Sequence, residues 1–175
     1  EHFGAAKSSD TASCESIIAE LRDLTTAHGR EAAPRQALAR VLFNAHLHAV
    51  NSGNAASRNS ILVELRVLAA AHPKENALNE QLAKALVNAH IDARRSGDAA
   101  FQESILAELR GLATANPKEA WPGKALARAL VNAHLDAVKT GDAALRESIL
   151  AELRGLAARH PKEFALQVKL AMALV

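Results

Sequence analysis

The chain has no tyrosine, one tryptophan and one cysteine, and aromatic residues make up 3% of its 175 positions. A core so poor in rings has to be built from small aliphatic side chains, and alanine and leucine dominate here. They are the strongest helix formers, and small side chains let helices approach closely. β-Branched runs are missing, so the composition argues against a sheet and predicts an all-α fold. A single cysteine, Cys14, excludes an internal disulfide and fixes no redox compartment; it reads as a small side chain on a helix. Neither sign of charge is in excess, with 21 Lys and Arg against 19 Asp and Glu and a net charge of +2. That balance speaks against nucleic acid as a partner, since such binders cluster their basic residues. No run approaches the ~18 uninterrupted apolar residues of a membrane span. No signal-peptide pattern is visible. The only methionine is Met172, so the chain is expected to be processed or to be a window on something longer.

What is present is repetition. The strings SIIAELR, SILVELR, SILAELR and SILAELR begin at Ser16, Ser60, Ser104 and Ser148, each 44 residues after the last. FNAHLHA, VNAHIDA and VNAHLDA begin at Phe43, Val87 and Val131, again 44 apart. HPKE, NPKE and HPKE begin at His72, Asn116 and His160 with the same step of 44. Three independent strings with one period predict tandem supersecondary units, none of which can bury its apolar faces alone.

Each unit reads as two helices. Gly53-Asn54, Gly97-Asp98 and Gly141-Asp142 are stop-start signals: glycine closes one helix in the left-handed conformation and Asn or Asp caps the next. Ser9-Asp10 keeps the cap alone and predicts a further helix start. After Gly97-Asp98, the apolar stripe Phe101, Ile105, Leu109, Leu112 predicts an amphipathic helix ending near Asn116-Pro117. The other helix follows Pro73, Pro117 or Pro161, running from about Glu75 to Arg95 in the second copy. Glu75, Glu119 and Glu163 are expected in its first turn, where the helix dipole favours negative charge. Pro34 and Pro122, at a register held elsewhere by Leu78 and Leu166, predict a start a few residues later in those two copies. Gly111 and Gly155 lie inside the shorter helix and are expected to be tolerated or closely packed.

The order Leu86-Val87-Asn88-Ala89-His90, then Gly97-Asp98, then Pro117 resembles the tetratricopeptide repeat: a helix with an L-x-N-A-aromatic pattern, a G-D turn and a second helix closed by proline. The usual unit of that family has 34 residues, so this is a long variant, with Ala or His at most aromatic positions. The resemblance implies an all-α solenoid of about four 44-residue units. On this reading residues 1–175 form a single array: a partial unit 1–33, full periods 34–77, 78–121 and 122–165, and a partial unit 166–175.

The longer helix carries a polar stripe, Arg40-Asn44-His48, Lys84-Asn88-Asp92 and Arg128-Asn132-Asp136 in successive copies. Apolar residues flank it: Leu82, Leu86 and Ala89 on one side, Val87 and Ile91 on the other. A stripe so placed is expected to line the concave surface of a solenoid. In the tetratricopeptide family a cation four residues before this asparagine resembles a clamp for a peptide's terminal carboxylate, and Arg40/Asn44, Lys84/Asn88 and Arg128/Asn132 match the spacing. A solvated face is the plainer reading of the same ladder.

The histidines fall into two registers. His2, His46, His90 and His134 form one; His28, His72 and His160, with Asn116 in the gap, form the other. Equivalent residues of packed neighbouring helices lie about 8–10 Å apart, too far to share an ion whose ligand atoms sit ~2 Å from it. Neither a metal nor a cofactor is expected. The second register, just before proline, is expected to cap helix C-terminal carbonyls. With no nucleophile–base pair, phosphate loop or carboxylate dyad, no enzymatic activity is expected.

Glu1-His2-Phe3 aligns with Ala45-His46-Leu47, so the chain opens inside the longer helix; 170–175 aligns with 82–87, so it closes inside the same helix. Phe3 at one end and Leu166, Leu170, Leu174 and Val175 at the other are expected to leave apolar surface uncapped. Two roles follow as expectations: a scaffold binding protein or peptide partners, or a subunit that self-associates end to end into a filament.

Overall fold

The computed structural model describes the backbone of residues 3–174 and the side chains of residues 15–174. Among the described residues there are eight α-helices and no strand. They divide between two compact units, Glu1–Ala85 and Leu86–Val175. The first holds α1 (Phe3–Ala27), α2 (Ala32–Asn51), α3 (Ala55–Ala71) and the start of α4 (Asn76–Ser96). The second holds the rest of α4, then α5 (Ala99–Ala115), α6 (Ala120–Thr140), α7 (Ala143–Arg159) and α8 (Phe164–Leu174). In the first unit α2 packs against both α1 and α3; in the second α6 packs against α5, α7 and α8, and α7 against α8. No helix among the described residues is long and apolar enough to cross a membrane.

The 44-residue period is kept by the fold. The starts of α2, α4, α6 and α8, at 32, 76, 120 and 164, are separated by 44 residues, as are those of α3, α5 and α7, at 55, 99 and 143. Two local devices set this phase. Gly53, Gly97 and Gly141 have φ of 71°, 74° and 73°, a left-handed conformation that costs an L-residue about 1–2 kcal/mol. Next to them, Asn54, Asp98 and Asp142 accept hydrogen bonds from the backbone N–H of Ser57, Phe101 and Leu145 at 3.0, 3.0 and 2.9 Å. At the other junction the HPKE strings form turns. The N–H of Glu31, Glu75, Glu119 and Glu163 donates to the carbonyl three residues back at 2.8–3.1 Å, with proline at the second turn position in the last three.

Three expectations are corrected here. α1 runs unbroken through Ser9-Asp10: that site has the cap residue but no glycine, and a serine would have to adopt the left-handed conformation to turn the chain. Pro34 and Pro122 do not delay their helices. α2 and α6 begin at Ala32 and Ala120, which puts each proline third in the helix. The first four helical N–H groups have no intrahelical acceptor, so the N–H that proline lacks is not missed there. Lastly, Glu119 stands at the N-cap position, outside the first turn, with no side-chain cap bond, and Glu75 and Glu163 likewise directly precede α4 and α8.

The core is a leucine lattice that repeats with the sequence. Leu42, Leu86 and Leu130 occupy one register of the longer helix and are fully buried, as are Leu65, Leu109 and Leu153 in the shorter helix. At ~25 cal/mol per Å² of apolar area, a fully buried leucine contributes about 1.5–3 kcal/mol.

Candidate partner-binding surfaces

The polar stripe of the longer helices lies on their accessible side. Arg40, Asn44 and His48 on α2 are exposed, as are Lys84 and Arg128; Asn88, Asp92, Asn132 and Asp136 are half-buried. The flanking Leu82, Leu86, Val87 and Ala89 are buried and Ile91 half-buried, so α4 is apolar on both sides of a polar line. The copies differ in what their charges do. Lys84 Nζ is 3.0 Å from Glu80 on its own helix. Asp136 accepts from Arg94 Nε at 2.6 and 2.8 Å, a contact that holds the Arg94 guanidinium above its ordinary pKa. Arg40 borders a groove: a cavity of about 300 Å³ in the first unit, lined by Ala33, Gln36, Ala37, Arg40, Ala77 and Gln81.

The longer helices also carry buried imidazoles. His46, His90 and His134 are buried at one register. Neither ring nitrogen of His46 or His90, nor Nδ1 of His134, has a hydrogen-bond partner. Burial is the leading cause that lowers the pKa of His46, to about 4, and that of His90. His2 lies outside the described residues. In the other register only Asn116 caps as expected, its Nδ2 donating to the Leu112 carbonyl at 3.0 Å. His28 and His72 turn instead to the carboxylate three residues on, with Nδ1 3.2 Å from Glu31 and 3.7 Å from Glu75. Among the described residues no three His, Cys, Asp or Glu side chains are grouped to hold a metal ion.

At the ends, Leu166 departs from expectation. It is buried, because α8 lays it against α6, where its Cδ1 comes within 3.8 Å of the space a side chain on Gly123 would occupy. Leu170 is half-buried and Leu174 is 57% exposed. The side chains of Phe3 and Cys14, and all of Val175, lie outside the described residues. Equivalent registers sharpen the contrast. Leu42, Leu86 and Leu130 correspond to Leu174 and are 0% exposed. Ala39, Ala83 and Ala127 are buried, while the corresponding Ala171 is exposed. On α1, Ile17 is 48% exposed, where its counterpart Ile61 is half-buried and Ile105 and Ile149 are buried.

Nothing matches this chain among protein-family models, curated proteins or solved structures.

One set of contacts was not foreseen from sequence. Arg22 on α1 holds Glu64 on α3 through two hydrogen bonds, Nε–Oε1 at 2.8 Å and Nη2–Oε2 at 2.6 Å. Arg110 on α5 holds Glu152 on α7 the same way, at 3.0 and 3.1 Å. Both pairs join the E-L-R string of one unit to that of the next, 42 residues on. The signal was visible in the repeated strings: Glu and Arg two apart on one helix cannot face each other, so each is free to meet the complementary residue of a neighbouring copy.

Proposed function

We propose that the chain is a non-enzymatic helical-repeat protein of the tetratricopeptide kind. On this reading it is a solenoid of about four units that works in protein–protein association by stacking end to end with further copies of itself. The observation that carries the reading is the exposure at α1 and α8 of registers that are buried elsewhere. α2 packs on α3 and α6 on α7; α8 has the register of α2 and α6, and α1 that of α3 and α7. An α8 face of one copy set against the α1 face of the next would repeat a joint already made twice inside the chain. It would cover Leu174, Ala171 and Ile17 as their counterparts are covered, and offer Arg154 at the E-L-R register a Glu20 on the incoming copy. Such a contact is heterologous and does not close on itself, so its product is a filament. Sedimentation velocity of the 175-residue chain over a wide concentration range tests it: a ladder of sizes growing with concentration is expected, and a monodisperse monomer at the highest concentration sinks it.

A second reading is a peptide clamp on the polar stripe, favoured by Arg40 beside a groove that also presents Gln36 and Gln81. A guanidinium with amide donors nearby suits a carboxylate. Titration with a peptide ending in acidic residues should show binding that is lost in Arg40→Ala; no binding to the unmodified protein rejects this reading.

A further inference from the structure

His46 on α2 and His90 on α4 share one register, and each compact unit holds one of them. Both are 0% exposed, and neither nitrogen of either ring is hydrogen-bonded. A neutral imidazole has one donor and one acceptor, so both rings leave their polar atoms unpaired in the core, a costly arrangement. A phenylalanine would fill the same space without that cost. What the imidazole alone can do is take a proton.

The surroundings do not welcome one. The charged group acting on His46 is Arg58 from α3, a like charge for an imidazolium; α1, also packed on α2, supplies no counter-ion among the described residues. On His90 three groups act: Asp136 of α6, Arg94 of its own helix and Glu103 of α5. Asp136 is already held by Arg94 and Glu103 by Arg110 at 3.1 Å. No carboxylate is bonded to either ring. His134, at the same register of α6, differs: it is slightly more exposed, and of its ring nitrogens only Nδ1 is both fully buried and unpaired.

We propose that His46 and His90 make the fold acid-labile, so that their protonation opens both helical units, and any assembly built from them, on mild acidification. Burial depresses the affinity of both rings for protons in the folded state. The unfolded chain then binds protons first: the stability that depends on His46 is intact above about pH 6.5 and is lost as pH falls from there towards about 4, and His90 acts in the same direction. The effect belongs to each folded unit and does not depend on self-association.

Urea unfolding at pH 7.5 and pH 5.0 tests this on the unmodified chain, on His46→Phe/His90→Phe and on His48→Ala, an exposed neighbour. For His46 alone the unfolding constant is expected to rise roughly 30-fold between the two pH values. The double variant should be nearly flat, and His48→Ala should behave as the unmodified chain. An equal loss in the double variant overturns the proposal. Should the double variant not fold, imidazole Cε1–H shifts of the native unmodified chain decide. The His46 ring should stay neutral at pH 5.5 and the His90 ring should titrate below the ordinary imidazole value; titration of either near 6.5 with the fold intact overturns the proposal.

Discussion

Single residues set the phase of this molecule more than its leucines do. Asp98 accepts the Phe101 N–H at 3.0 Å, and Asp98→Ala is expected to cost about 1 kcal/mol of stability, read from the urea midpoint. The glycines divide by backbone conformation. Gly97 has φ +74° and Gly97→Ala should destabilise by about 1–2 kcal/mol. Gly111 is helical with nothing within 4 Å of an added Cβ, so Gly111→Ala should stabilise by about 1 kcal/mol. The pair of variants gives opposite signs if the two roles are as described; equal signs would contradict them. The glycines in the turns were legible in the sequence because Gly-Asp is a local signal. Ser9-Asp10 misled for a complementary reason: half of the signal was read as the whole.

At the scale of elements, one register shows how different residues meet the same need. Arg35, Asn79, Gly123 and Gln167 are 44 apart, each near the start of a longer helix, where the preceding turn must be tied down. Arg35 donates to the Gly29 carbonyl at 2.6 Å and to Glu75 at 3.0 Å. Asn79 donates to the Pro73 carbonyl at 3.0 Å and Gln167 to that of Ala157 at 3.3 Å. Gly123 makes room for His160 and Leu156, 3.7 Å from where its Cβ would sit. Sequence reading missed this position because the solutions share no residue type. Arg35 is buried, so Arg35→Met strands the Glu75 carboxylate and should cost roughly 2–3 kcal/mol by chemical denaturation. The Arg110–Glu152 pair is more open to solvent. A double-mutant cycle with alanine at both positions should give a coupling of only about 0.2–1 kcal/mol, smaller in high salt; a salt-independent coupling would argue against a solvated ion pair.

At the scale of the molecule, the all-α class and the 44-residue phase were legible, because periodicity fixes which faces are apolar before any contact is known. The partners of the charged residues were not, since a solvated face and a binding face have the same composition. End-to-end stacking depends on the α1 and α8 faces, and complementation tests them most directly. Ile17→Glu spoils the α1 face and leaves α8 intact; Leu174→Glu does the reverse. Both sites are exposed, so both variants should fold, as circular dichroism will report. Sedimentation of each variant alone should show monomer where the unmodified chain forms a size ladder, while an equimolar mixture should form a dimer and nothing larger. Variants that assemble as the unmodified chain does, or a mixture that stays monomeric, would contradict end-to-end stacking.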